Sequence, residues 1–473
     1  MNSINLEIGD YIVIIAYFLV CIFLGTTTKK SDDNLTDYLI AGRAITLPAF
    51  VATLVSTFYG GILGIGEFTY RYGISSWLLN ALPYYIFILI FAFFFAEKIR
   101  KSELRTIPEK LEQSFGSKVS FFGSIMIFFL TTPAPYLLML GVLVQMVFSI
   151  DLWIAMLISI FVSIVYLFKG GLKADIRVNI LEFIVMFAGF IMILPFCYFK
   201  IGGLEFLKSN LPQSHFSLSG SHSTLYIIVW FFIGSWALVD PSFHQRCYAA
   251  KTTKVARNGV LISLFFWILF DFLTVTTGLY SASYLKNLNN PVAAYPTLAD
   301  KILPQILKGF FFASLLATIM STFHSYLFIS ATTFGKDIMK SFPRFSNKSN
   351  YIELSKAGII LTSAISFLLP FIIPSVVDMW YTIGSLVIPP LLIAIIFSYT
   401  SKNYIQKKFI LVSMISCFSV SLFWFIHGNL KNSENVSRYL LNIEPLYPGL
   451  GVGIIFILMG LVINLVRNDK HKI

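Results

Sequence analysis

Ala317-Thr318-Ile319-Met320-Ser321-Thr322 lies inside the apolar run 304–335. Thr318, Ser321 and Thr322 stand at i, i+3 and i+4, so a helix brings their oxygens onto one face. Hydroxyls in so greasy a helix have two uses. They can back-bond to the carbonyl four residues earlier and help membrane helices pack. They can also form a row of hard oxygen ligands for a small cation. The rest of the chain decides between these.

The chain has 473 residues, of which 57% are hydrophobic, 16% aromatic and 12% charged, and its mean hydropathy is +0.78. A soluble globular chain carries about 25% charged residues. Half that cannot coat a soluble surface, so the composition implies an all-α polytopic membrane protein. Cys21, Cys197, Cys247 and Cys417 are scattered, with no CxxC pair, which excludes a disulfide framework or a zinc site of the usual spacing. Met1 to Asp10 holds no Lys or Arg, so the first apolar run is expected to be a retained span, not a cleaved signal peptide.

A membrane span needs about 20 apolar residues. Thirteen candidates fall near 8–27, 46–68, 76–96, 119–149, 152–168, 178–199, 224–245, 258–281, 304–335, 355–374, 377–399, 408–427 and 446–466. With the N-terminus outside and the C-terminus cytoplasmic, 27 of the 35 Lys and Arg residues fall on the inner side, as the positive-inside rule requires. The net charge of +12 is therefore mostly a topology signal, and nucleic-acid binding is not expected. No connection between spans is long enough for an enzymatic domain.

The second span contains Ser56-Thr57-Phe58-Tyr59-Gly60-Gly61-Ile62-Leu63-Gly64-Ile65-Gly66. Each glycine weakens a helix by about 1 kcal/mol against Ala. Unwound backbone is tolerated in a membrane where it lines a cavity. The seventh span reads Gly234-Ser235-Trp236-Ala237-Leu238-Val239-Asp240-Pro241, and Asp240 and Pro241 interrupt its apolar helix. Asp240 reads either as a helix cap paired with Arg246 or as a coupling group; Trp236 could stack on a ligand or simply pack. Broken helices in corresponding places, five spans apart, point to an inverted-repeat transporter. Asp271, in the eighth span, is an intramembrane carboxylate with no evident partner in the sequence.

Further motifs accompany these breaks. Asp37-Tyr38-Leu39-Ile40-Ala41-Gly42-Arg43 precedes the second span, which holds Ala52-Thr53 and Ser56 and is followed by Tyr70 and Gly73. Thr106-Ile107-Pro108-Glu109-Lys110-Leu111-Glu112, Gly170-Gly171-Leu172-Lys173-Ala174, Gln245-Arg246 with Ala249-Ala250-Lys251, and Met320-Ser321-Thr322 follow in order. Over residues 8 to 400 the set resembles the sodium:solute symporter family, which includes sodium-coupled galactose, proline and sialic acid transporters. The resemblance implies a five-plus-five inverted-repeat core at 46–399, with broken first and sixth core helices, an extra span at 8–27 and extra spans at 408–466. It implies a sodium site made by the backbone carbonyls of Ala52, Val55 and Thr318 and the hydroxyls of Ser321 and Thr322. It places the solute around Ser56, Thr57, Tyr59, Gly60 and Trp236.

The chain also departs from that pattern. Many members carry Thr-Asp-x-x-x-Gln at the start of the fifth core helix; here the run is Val178-Asn179-Ile180-Leu181-Glu182. Where members with a second sodium add hydroxyls, this chain has His324 and Ser325. One sodium is therefore expected, with Asp240, Glu182 and Asn179 as possible coupling or gating groups. The expected protein is a non-enzymatic sodium-coupled symporter of the inner (cytoplasmic) membrane, working as a monomer in the lipid bilayer. It would import a small solute of sugar, amino acid, carboxylate or vitamin class, with Na+ co-transported and no organic cofactor. A proton-coupled permease on the same fold, using Asp240, Glu182 or Asp271, is the alternative.

Overall fold

Backbone groups inside a bilayer must be satisfied within the protein, and a chain this apolar does so with helices. The computed structural model describes residues 4–27, 35–220, 222–345, 351–400, 405–430 and 439–469. Among them the extended pairing is a single bridge between Ile45 and Ala250. Of the basic residues that set the expected topology, Lys29, Lys30, Lys348, Lys402, Lys431, Arg438, Lys470 and Lys472 lie outside the described residues.

Helix α1 is Ile8–Thr26. The first broken span is α2, Leu47–Phe58, and α3, Ile62–Tyr72. Then come α4, Ser75–Lys101, and α5, Ser117–Phe148. Next are α6, Leu152–Ile164, and α7, Gly171–Lys200. The second broken span is α8, Thr224–Ile233, and α9, Pro241–Ala249, with a turn at Trp236–Val239 between them. Helices α10, Thr253–Tyr284, and α11, Leu307–Thr332, follow. The last four are α12, Tyr351–Ile372; α13, Val376–Thr400; α14, Lys407–Leu430; and α15, Leu446–Asp469.

Eleven of the described helices are long and apolar enough to span a membrane, and the bent α2–α3 pair makes twelve. The shorter apolar helix α6 corresponds to the thirteenth expected span. The five spans from α2–α3 to α7 and the five from α8–α9 to α13 form the five-plus-five core, each half opening on a broken helix. Helix α11 is its axis: its membrane-crossing stretch is wholly buried, whereas α14 and α15 bury little more than a quarter of theirs.

Motifs far apart in sequence converge on the two breaks. Gly171 has φ +55°, and a Cβ there would lie 2.7 Å from the Tyr38 carbonyl, so glycine at this position lets the Asp37–Arg43 segment dock on α7. Asp37 pairs with Lys173 beside it. The Gln245 side chain donates to the Leu39 carbonyl at 3.0 Å. Ile45 N–H donates to the Ala249 carbonyl at 3.1 Å, and Lys251 N–H returns to the Ile45 carbonyl at 2.9 Å. Thr106 caps the helix Ile107–Phe115, whose Glu109 lies 2.9 Å from Lys336 at the end of α11. The bonds of Gln245, Ala249 and Lys251 hold the C-terminal end of α9 against the chain leading into α2.

Gly171→Ala is expected to destabilise the protein by about 1–3 kcal/mol, because alanine is strained at positive φ and would crowd Tyr38. Thermal unfolding of the purified protein would show this as a lowered midpoint.

Candidate functional site

The first break exists because small residues let two helices press onto it. Helices α2 and α3 meet at 54°, across Tyr59-Gly60-Gly61. A Cβ on Gly60 would lie 2.0 Å from Thr322 Oγ1, and one on Gly61 would lie 2.3 Å from the Trp380 ring. Here the hydroxyl face of α11 meets the last carbonyls of α2. Ser321 donates to the Ser56 carbonyl at 2.7 Å and also lies 3.0 Å from the Thr318 carbonyl. Thr322 donates to the Thr57 carbonyl. The Thr318 hydroxyl back-bonds to the Ser314 carbonyl at 2.7 Å.

Of the five oxygens expected around sodium, the two α11 hydroxyls therefore engage α2 at residues 56 and 57. Val55 and Ala52, both buried, sit just before them on α2. The Val55 carbonyl accepts the Trp267 indole N–H at 3.3 Å. A hydroxyl that donates its proton keeps lone pairs for a cation, and a carbonyl has two. The chemistry of this set suits a hard monovalent ion, and no group of three or more His, Cys, Asp or Glu able to hold a metal occurs among the described residues.

The second break is built by Asp240. Its backbone is extended, its side chain accepts from Ser242 N–H at 2.7 Å, and Pro241 takes the first position of α9. That is a capped helix start. The other carboxylate oxygen accepts the Tyr326 hydroxyl at 2.6 Å, which ties the second break to α11.

Between the breaks lies a cavity of about 100 Å³. Tyr59 and Trp236 line it, as do Tyr84, Tyr85, Trp230 and Trp267. Ser56, Thr57 and Gly60 are not in its wall. The Ser56 hydroxyl lies 3.3 Å from the Thr53 carbonyl, Gly60 faces Thr322, and Thr57 turns to a different cluster.

That cluster centres on Arg246, which is fully buried. Its Nη2 lies 3.1 Å from Asp175 Oδ2 and 2.9 Å from both Thr57 Oγ1 and Ser325 Oγ. Asn179 donates to Asp175 at 3.1 Å and to Thr57 at 3.2 Å. A guanidinium thus binds together α2, α7, α9 and α11. Glu182 lies elsewhere, buried on α7, where it accepts the Tyr17 hydroxyl of α1 at 3.3 Å.

The sequence offers Asp240 as a partner for Arg246 and does not single out Asp175; the structure pairs Arg246 with Asp175 instead, because Asp240 is taken up by Ser242 N–H and the Tyr326 hydroxyl. Asp175 lies four residues before Asn179, so one turn of α7 carries both, and that spacing was the available signal. The aromatic wall had no such signal, because its residues come from seven different helices and the turn between α8 and α9. Asp271 was flagged without a partner; its partners are the hydroxyls of Tyr59 and Tyr85.

The family model described as the sodium:solute symporter family matches residues 38–407. The chain belongs to this family. Human sodium/myo-inositol cotransporter 2 is 24% identical over 422 residues, 77% of this chain and 61% of that protein, so the chain spans less than two thirds of that relative. The high-affinity proline transporter PutP of Bacillus subtilis (strain 168) is 25% identical over 370 residues, covering 74% and 78% of the two chains. A sodium-coupled sialic acid symporter, solved in a substrate-bound outward-open state, superposes with a TM-score of 0.81 at 16% identity, covering 98% of each chain. At that identity the likeness is one of fold, and the fold is that of the transporter.

Arg246→Met leaves Asp175 charged and unpaired in the interior, which is expected to cost about 3–5 kcal/mol. Adding Asp175→Asn should recover part of that loss. Thermal unfolding of the single and double variants measures the difference.

Proposed function

We propose that this member of the family is a sodium-coupled symporter that imports a small organic solute across the cytoplasmic membrane by alternating access. The observation that carries the reading is the direct seam between Ser321 and Thr322 of α11 and the carbonyls at the first helix break, beside a cavity lined by aromatic rings. Sodium at Ala52, Val55, Thr318, Ser321 and Thr322 would add a second tie across the same seam. Trp267 connects the Val55 carbonyl to the cavity wall, so solute and ion act on one helix. Loss of the ion would loosen α2 from α11 and release the solute inward.

One sodium is transported per cycle in this reading. Asn179 replaces an acid, and the Arg246 guanidinium already neutralises Asp175 beside Ser325. A second cation there would meet a positive charge instead of a carboxylate. The core at 46–399 works with the extra spans 8–27 and 408–466 as one transporter unit, a monomer with its N-terminus outside and its C-terminus cytoplasmic. Relatives carry myo-inositol and proline by name, which sets the scale of the cargo as a small polar molecule. Asp240 acts as a cap and a tie to Tyr326, and Asn179 as a positioning residue for Thr57; Glu182 lies at the α1 interface and does not face the cargo.

Ser321→Ala or Thr322→Ala is expected to raise the half-saturating sodium concentration about tenfold or more, the scale of losing one ligand to a charge. Sodium-dependent thermal stabilisation, and uptake once a cargo is in hand, would measure it. Replacing sodium by potassium across a pH series tests the coupling ion: activity that persists and follows pH instead of sodium would establish the proton-coupled alternative.

A further inference from the structure

Asp271 is buried on α10 and, among the described residues, is the one carboxylate in the wall of the cavity, to which no Lys, Arg or His contributes. Tyr59 and Tyr85 donate to its two oxygens, but phenols are neutral and leave its charge uncompensated. The one guanidinium buried among the described residues, Arg246, is already paired with Asp175. A buried carboxylate is stable when a cation joins it. Most of the rest of the wall is aromatic, including Trp230, Trp236, Trp267 and Trp380, with the Asn80 amide and aliphatic residues such as Ile65 and Ile233 between the rings. Aromatic π faces attract cations, tryptophan most strongly, and a desolvated site strengthens the attraction. The wall also holds the Asn80 amide and the hydroxyls of Tyr84 and Tyr136, so it offers donors to an acceptor oxygen.

Size narrows the cargo. The cavity, about 100 Å³, is smaller than a cavity of about 150 Å³ that holds benzene, so the cargo is compact. We propose that the transported solute is a compact organic cation, an ammonium that also carries a hydroxyl or carbonyl oxygen, with Asp271 as its counter-ion inside the aromatic cavity. This rests on the symport reading and gives it a substrate class. It also gives the solute a direct route to the first break: Asp271 holds Tyr59, the residue at which α2 ends.

The test uses the purified full chain in detergent, in sodium or potassium buffer. Its thermal midpoint is followed with choline, with the neutral isostere 3,3-dimethyl-1-butanol, and with myo-inositol. Choline is expected to raise the midpoint, and the two neutral compounds to leave it unchanged. Asp271→Asn should raise the half-saturating choline concentration about tenfold or more, while Asp271→Glu keeps the response. Equal stabilisation by either neutral compound, silence of choline, or an unchanged choline response in Asp271→Asn would overturn the assignment. The wild-type comparison of choline with its isostere stands even if the asparagine variant fails to fold. Sodium alone is a separate arm: a choline response with no sodium stabilisation supports the cation site and counts against sodium coupling, and a sodium response with choline silent does the reverse.

Discussion

A guanidinium sealed inside a membrane protein is the constraint around which this structure is arranged. Removing a charge from water is expensive, and the expense is offset only when geometry and hydrogen bonds are both good. Arg246 draws its partners from four helices: Asp175 of α7, Thr57 of α2, Ser325 of α11 and its neighbour Gln245 on α9. These are the two broken spans and the two helices that pack between them. Ser325 stands four residues after Ser321, and the Thr57 carbonyl accepts from Thr322, so the ion pair and the expected sodium ligands share one seam.

Both breaks use ordinary helix-end chemistry to do an uncommon job. In the second, Asp240 and Pro241 start a new helix in the middle of the membrane, and Tyr326 takes up the remaining carboxylate oxygen. In the first, glycines at 60 and 61 remove the side chains that would hold α11 and α13 away. The freed carbonyls are met by hydroxyls from α11. Neither break leaves its polar groups to lipid, which is why unwound backbone can persist at this depth.

The cavity between the breaks is shaped by aromatic rings, and its polar equipment is sparse. Among the described residues its polar groups are one carboxylate, the Asn80 amide and five phenols, two of them bonded to the carboxylate. Sparse polar groups in an apolar cavity fix orientation and class of ligand. Trp267 and Tyr59 each belong to the wall and each touch the first broken span, so occupation of the cavity bears on the helix that would also hold the ion.

Much of this was written in the chain itself. Apolar length gave the spans, because hydrocarbon thickness sets how many residues must be greasy, and even the breaks after Ser149 and before Val376 fell where polar or proline residues interrupt those runs. Four glycines in seven residues and the Asp-Pro pair marked the two broken helices, since few other arrangements interrupt a membrane helix so locally. The i, i+3, i+4 hydroxyls named one face of α11. Which carbonyls that face would meet, that Thr57 would belong to Arg246 and not to the cavity, and that Asp271 would look onto tryptophans from other spans were decided by tertiary structure alone. Periodicity reports a residue's place on its own helix; a buried charge is paired, and a cavity walled, by side chains hundreds of residues away, whose positions no local pattern records.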